Sequence, residues 1–382
     1  MRSFIKIGVP VAAASLLLAA CGGTTTTGSG SGTAGGGTQC DYKVAYFGAL
    51  TGDAANLGIN IKNGVELAVN QYNEKNPNCK VTLQTFDSEG DPAKAPALAQ
   101  KAVTEKKILG IVGPAFSGES KAANPIFNQA GLNLITASAT NPALADNGWK
   151  VFHRMLGNDA TQGPAAATYM RDVLKAKKVF VIDDSSEYGK GLSDIVRKDL
   201  GATVVGNDSV QGGGKQTDFS ATVTKASAAA PDAVYFGGYY AEASNIIKQL
   251  RTAGWKGNFV VADGVKDDAY IKQAGTASEG TIITCPCLPP EKAPEFAKAF
   301  RAAYKSDPAT YSAEAFDSAN VFLDGIKDGK VTNDDMNAFI KTYDKPGVTK
   351  RVKFDERGEP AEVSVWAYKV IGAKITADRE IK

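Results

Sequence analysis

The chain has 382 residues, with 43 Lys and Arg against 41 Asp and Glu and a single His. A formal charge of +2 over that length excludes a strong electrostatic nucleic-acid binder and a polybasic membrane patch, and one histidine leaves little for acid–base catalysis. The apolar fraction of 43% supports sizeable cores, and the length fits two domains at roughly 100–200 residues each.

Arg2 and Lys6 flank the start of an apolar run, 7–20, that is too short to span a bilayer and has the form of a secretory signal. Leu18-Ala19-Ala20-Cys21 resembles the bacterial lipobox, which implies cleavage before Cys21 and a lipid anchor on it. Residues 1–20 are thus read as a lipoprotein signal peptide, and the expected location is the extracytoplasmic face of the cell membrane. Its removal takes away two positive charges and leaves the chain close to neutral. Residues 21–39 are almost wholly Gly, Thr and Ser, a tether that cannot bury a core and that reaches on the order of 25 Å.

Four further cysteines agree with export. Cys40 precedes the apolar run 44–50 and Cys79 precedes 81–86. If those are adjacent parallel strands, the two cysteines meet at the strands' amino ends, so a Cys40–Cys79 bridge is favoured. Cys285-Pro286-Cys287 is then a local disulfide or a free dithiol. With Cys21 read as the anchor, Cys40 and Cys79 as bridged and only one His, zinc would lack ligands beside Cys285 and Cys287, so neither metal nor cofactor is expected.

The run 44–50 reads as a buried strand. Ile61, Val65, Ala68 and Tyr72 then recur at helical spacing until Asn76-Pro77. The run 81–86 is the next strand, Pro92 starts a helix through 103, 109–112 is the third strand, and a helix closing at 129 leads to a strand at 132–135. Such alternation implies a parallel sheet with helices on both faces. The same grammar repeats: a helix 163–174 opened by Gly163 and Pro164, strand 178–182, helix 192–200, a strand from Val204, helix 219–229, and strand 233–236 ending in Gly237-Gly238-Tyr239. Helix 241–253 and strand 258–262 follow and deliver Asp263. Helices at 293–304 and 313–326 leave too few strands for a third domain, so the chain is expected to return to the first lobe. Two lobes joined by several crossings would hinge about a cleft.

Within 109–140, two apolar runs each empty into a small, hydroxyl-rich turn, one carrying Ser117 and the other Ser138 and Thr140. If the strands are neighbours, these hydroxyls and the N–H groups of the following helix converge at the strands' carboxyl ends and suit a carboxylate. Asp263 would take an ammonium, and Tyr188 and Tyr239 would shield the site while offering phenols. Enzymatic readings are weaker, and no enzyme is expected. Gly212-Gly213-Gly214-Lys215 lacks the first glycine and the Ser or Thr of a phosphate loop. Gly237-Gly238-Tyr239 lacks a third glycine and reads as a close approach of backbone to ligand or to the opposite lobe. Ser117 is not in a GxSxG elbow, His153 reads as structural, and Asp183-Asp184 and Asp267-Asp268 read as loop-solvating or helix-capping pairs.

At these residues the chain resembles the leucine/isoleucine/valine-binding protein family of periplasmic-type solute receptors for ABC transporters. The resemblance runs from Val44 to about Val370 and rests on GALTGDAANLG, IVGPAFSGES, ITASATNPAL, DDSSEYGKGL, YFGGYYAEA and Ala262-Asp263, in that order. It implies an α/β type I periplasmic binding protein fold, with two doubly wound parallel-sheet lobes joined by three hinge crossings. The expected lobes are 41–158 plus 285–361 and 159–284 plus 362–382. It also implies that Ser117, Ser138, Ala139 and Thr140 hold the carboxylate and ammonium of an amino acid, with Tyr188 and Tyr239 beside them. Asp263 stands where the family usually has a glutamate, so the charge is kept with one methylene less reach. Leu57 replaces a common aromatic, Phe116 replaces a small cysteine and its disulfide, and Tyr311 matches an aromatic over the ligand side chain. The implied protein is a monomeric, lipid-anchored receptor that gives a branched-chain or other apolar amino acid to permease subunits. A sensor of amino acids or amides on the same fold is the alternative.

Overall fold

The computed structural model describes residues 40–382, so the signal peptide, Cys21 and the tether fall outside the described residues. The chain opens with β1 (Lys43–Gly48), α1 (Ala55–Lys75), β2 (Thr82–Asp87), α2 (Ala95–Thr104), β3 (Ile108–Val112), α3 (Ser117–Ala130), β4 (Leu134–Thr136) and β5 (Phe152–Arg154). These strands form one parallel sheet in the order β2-β1-β3-β4-β5. β3 is buried at every position, as the unbroken apolar sequence of a central parallel strand requires, whereas the edge strand β2 buries one residue of six.

The chain then passes to a second sheet through α4 (Asp159–Thr168), β6 (Val179–Asp183), α5 (Glu187–Leu200), β7 (Val204–Ser209), α6 (Ser220–Ala229), β8 (Ala233–Gly237), α7 (Tyr240–Thr252), β9 (Asn258–Val261), α8 (Asp268–Ala274) and β10 (Ile282–Cys285). Next come α9 (Pro294–Tyr304), α10 (Ser312–Lys327), α11 (Asn333–Lys341) and a small antiparallel pair, β11 (Asp344–Pro346) and β12 (Arg351–Lys353). Finally β13 (Val365–Ile371) and β14 (Lys374–Ile381) extend the second sheet as antiparallel strands, giving β14-β13-β10-β9-β8-β6-β7.

Helices α9 to α11 do return to the first sheet. Tyr304 Oη donates to the Asn63 carbonyl at 2.9 Å, and α10 lies so close to α1 that a methyl on Gly64 would overlap the Ser312 carbonyl. Gly110 in β3 is equally bare against the ring of Phe322. The parallel parts of both sheets have the same doubly wound order, with a switch point between β1 and β3 in one and between β6 and β8 in the other. Open α/β sheets bind ligands outside such points.

Three helix starts differ from the sequence expectation, one because of a preceding turn and two because of a side-chain cap. At Asp91, Oδ1 accepts from Ala93 N at 2.9 Å and holds a turn, so α2 begins at Ala95 and not at Pro92. The Asn158 side chain accepts from Ala160 N at 3.0 Å and starts α4 four residues before Gly163, with Pro164 inside the helix. Ser186 Oγ accepts from Gly189 N at 2.9 Å and starts α5 at Glu187. Tyr188 therefore rides on a helical turn. The Gly237-Gly238 pair serves a different contact from the one expected: side chains on either glycine would strike Gly189, Ser193 or Asp184 of the same lobe, so the pair lets α5 approach β8.

Cys40 and Cys79 form a disulfide, and Cys285 pairs with Cys287. The first closes a loop of sequence separation 39 across β1 and β2. Removing it as C40S/C79S is expected to cost about 4 kcal/mol or less by the loop-entropy relation. Urea unfolding of the variant and the parent would read this as a lower midpoint.

Candidate functional site

Two turns of the first sheet are cross-tied. β3 and β4 are hydrogen-bonded neighbours, and the turns that follow them meet: Ser138 Oγ donates to the Ala115 carbonyl at 2.6 Å, and Asn141 N donates to Ser117 Oγ at 3.2 Å. Thr136 Oγ1 adds a bond to the Pro114 carbonyl at 2.9 Å. Ser117 opens α3, whose first-turn N–H groups carry the positive end of the helix dipole. Glu119 folds back on that turn, accepting from Phe116 N at 3.3 Å and from the Ser88 hydroxyl. Burial pushes its carboxyl up to about 8.

Opposite this, Asp263 follows β9 at the bottom of the second lobe's crevice and is 3% exposed. Three neutral donors hold it: Tyr188 Oη at 2.7 Å, Tyr311 Oη at 2.6 Å and Gln162 Nε2 at 2.8 Å. They come from three separate elements, α5, the start of α10 and α4. Tyr311 adopts φ +65°, a left-handed conformation that a bulky aromatic takes at a cost of about 1–3 kcal/mol and that clusters at ligand sites. Burial raises the Asp263 carboxyl above its ordinary range against the pull of these donors.

Leu57, Phe116, Ser117, Ser138, Tyr188, Tyr239, Asp263 and Tyr311 are thus brought together, joined by Ile61, Ala115 and Gly264, around a small cavity of about 20 Å³. Phe116, Tyr188 and Tyr239 also line a larger cleft of about 750 Å³ on their other side. They form a partition: Tyr239 lies 5.5 Å edge-on to Phe116 and 5.2 Å from Tyr188, centroid to centroid. Gly212 to Lys215 line that outer cleft, where Gly214 N donates to Glu242, and so act as a loop.

Ala139 and Thr140 are not among the residues around the small cavity. The Ala139 carbonyl is turned away and accepts from Arg154 Nη1 at 2.6 Å. Thr140 is fully buried and its Oγ1 has no hydrogen-bond partner. Asp183 and Asp184 do not solvate a loop. Both are buried; Asp183 accepts from Ser209 and Arg197, and burial lifts Asp184 to about 7. Asp267 caps α8 through Ala269 N and also accepts from Asn56 and Asn60 of α1, a tie between the lobes. His153 is 2% exposed, packs edge-on to Phe354 and is pulled down to about 4 by burial, as befits a structural residue.

Sequence reasoning missed Arg154, Asp159 and Gln162. Arg154 is wholly buried, meets Glu359 through Nε at 3.1 Å and Nη2 at 2.9 Å, and bonds the carbonyls of Ala139 and Asn141. It clamps the Ser138–Thr140 turn to a segment that lies 205 residues later. An arginine within the apolar run Val151 to Met155 was the available signal. Asp159 and Gln162 stand one turn apart on α4, a spacing visible only once the helix is known to begin at Asp159.

With this geometry in hand, a family model described as periplasmic binding protein matches residues 41–374. The chain belongs to that family. The Leu/Ile/Val-binding protein of Escherichia coli is 34% identical over 251 residues, 64% of this chain and 68% of that one. A leucine-, isoleucine-, valine-, threonine- and alanine-binding protein of Pseudomonas aeruginosa is 30% identical over 329 residues, 83% and 86% of the two chains. Among solved structures, the leucine-binding protein LivK of Thermotoga maritima has 27% identity and a TM-score of 0.82, covering 89% of this chain and 99% of its own. The branched-chain amino acid transporter substrate-binding protein LivJ of Streptococcus pneumoniae, in complex with isoleucine, has the same identity and TM-score, covering 89% and 98%. The fold of this binding protein is the type I periplasmic binding fold, and the relatives named are solute-binding proteins.

Arg154→Met should destabilise the binding protein by about 3–5 kcal/mol, because Glu359 and two carbonyls lose their partner in the interior. R154M/E359L should regain much of that loss, since no buried charge remains unpaired. Urea denaturation of the three proteins reads both effects.

Proposed function

We propose that the protein captures an apolar α-amino acid between its lobes and delivers it to the permease subunits of an ABC transporter. One observation carries the reading: a small apolar pocket lies between the N-terminal turn of α3 and a buried carboxylate held by neutral donors. An amino acid's carboxylate meets the helix turn and the Ser117 and Ser138 hydroxyls. Its ammonium meets Asp263. Each end then escapes isolated burial through charge-assisted hydrogen bonds. Leu57, Phe116 and Tyr311 bound the side chain. The names of the relatives, leucine- and branched-chain-binding proteins, support the same ligand class.

Capture by closure follows from residues of both lobes being needed at once. The bodies proposed to move are 41–158 with 285–361 and 159–284 with 362–382. They already touch across the cleft, through Lys121–Glu187 at 2.9 Å and Asn141 Nδ2 to the Glu187 carbonyl at 2.8 Å. The lipobox-like sequence at Cys21 and the Gly/Thr/Ser segment after it support a receptor tethered by lipid at the extracytoplasmic face. Among the described residues, no helix is long and apolar enough to cross a membrane.

Calorimetric titration of unfolded and refolded protein with each of the twenty L-amino acids should find micromolar or tighter binding for at least one apolar member. Asp263→Asn should weaken that binding about 10²-fold or more, because the ligand's ammonium loses its charged partner. No binding by any amino acid, or an unchanged affinity in D263N, would contradict the assignment.

A further inference from the structure

A second carboxylate, Asp159, lies buried outside the residues that line the pocket but on the helix that reaches Asp263, and the proposed binding mode does not use it. Asp159 is 0% exposed, and no well-formed hydrogen bond reaches its side-chain oxygens, although the Thr140 hydroxyl lies near enough to pull its carboxyl down against burial. It lies one helical turn before Gln162, whose amide donates to Asp263, so α4 sets the two carboxylates side by side. Asp159 N donates to the Thr140 carbonyl at 2.9 Å, which brings it beneath the hydroxyl-rich turn. Thr140 Oγ1, Tyr235 Oη and Gln162 Oε1 are likewise buried without partners. Polar atoms without a well-formed hydrogen bond thus cluster about the two carboxylates, Thr140 beside Asp159 and Gln162 beside Asp263, and they can accept a hydrogen bond.

The charged and titratable groups facing the pair are few. Arg154 of β5 acts on Asp159 from a distance but is engaged by Glu359. Tyr188 of α5, Tyr235 of β8, Tyr239 beyond it and Tyr311 before α10 are all held well above the usual phenol range by burial and by these carboxylates, so they stay neutral. Glu119 and Asp184 lie farther out, acting on Tyr239. Two neighbouring carboxylates with neutral donors and no engaged cation cannot both ionise without a large electrostatic cost.

We propose that Asp159 and Asp263 hold one proton between them in the unliganded protein, and that the ligand's ammonium displaces it to solvent. This rests on the amino-acid reading given above. The balance is one ammonium in and one proton out, so the buried charge ends at two carboxylates against one cation, with Tyr188, Tyr311 and Gln162 supporting the excess. Burial and the charge of Asp263 both raise Asp159 in the absence of ligand, and a cation between them lowers the pair. The sign follows: binding tightens as pH rises through the titration of the unliganded pair and levels off above it. Below that point affinity falls by up to about tenfold per pH unit.

The test is calorimetric titration of the refolded protein with L-leucine, and with L-alanine in parallel, near pH 7 in buffers of different ionisation enthalpy. A slope corresponding to about one proton released per amino acid is expected. In Asp159→Asn the release should vanish and affinity should fall, whereas Glu119→Gln and Asp184→Asn should keep the release. Binding enthalpies that do not depend on the buffer, with normal amino-acid binding, would overturn the proposal while leaving the proposed function intact. Loss of the release in E119Q or D184N with retention in D159N would overturn the assignment to the pair. Should D159N fail to fold, the wild-type buffer series alone decides. Failure of both amino acids to bind would strike at the proposed function, and at this inference with it.

Discussion

The structure turns on a charge that the protein leaves without a countercharge. Asp263 sits in the interior, bonded by two phenols and an amide, and Asp159 is buried near it with only the Thr140 hydroxyl close by and no cation bonded to it. Buried carboxylates are ordinarily paired or avoided because desolvation costs several kcal/mol per ion. Here the surroundings are built to tolerate the charge and not to cancel it. That is what a site for a cationic group requires: a protein cation in the same place would compete with the ligand.

On the proposed reading, the neighbouring residues hold the two ends of such a ligand at a fixed separation. The end proposed for the carboxylate lies at the switch point of the first sheet, where β3 feeds α3, and the end proposed for the ammonium lies in the crevice of the second, beyond β9. Arg154 makes the first end rigid by tying the turn after β4 to Glu359, so a chain segment entering the first lobe late in the sequence stabilises a turn formed early. Tyr311 makes the second end depend on the first lobe, because its phenol reaches Asp263 from the start of α10. The aromatic trio of Phe116, Tyr188 and Tyr239 separates this dry interior from the broad outer cleft, where the dielectric is higher and a charge pair is worth less.

Much of this was legible in the sequence because it depends on local pattern. Alternating apolar strands and amphipathic helices gave the parallel sheets, and hydroxyl-rich turns after two such strands marked the end proposed here for the carboxylate. Ser117 and Ser138 do face one another, since β3 and β4 are neighbours. What was missed depends on register and distance. Asp159 was hidden because Gly163-Pro164 looked like a helix start, whereas Asn158 caps the helix one turn earlier. Arg154 was hidden because its partner lies 205 residues away, and no local signal couples the two. The Ala139 carbonyl already accepts from Arg154, a contact with no local sequence signal. Asp183 and Asp184 read as loop-solvating or helix-capping carboxylates; Asp184 does accept from Ser186 at the start of α5, but the burial of both was not visible in the sequence.

The central claim is that the site recognises an ammonium. It is tested most directly by titrating the refolded protein with L-leucine and with the α-hydroxy acid bearing the same side chain. The two differ only in replacing a cation by a neutral hydroxyl. The account predicts that the amino acid binds and that the hydroxy acid is weaker by about 10²-fold or more, since a buried carboxylate then remains without its charge partner. Equal affinities, or a preference for the hydroxy acid, would contradict it.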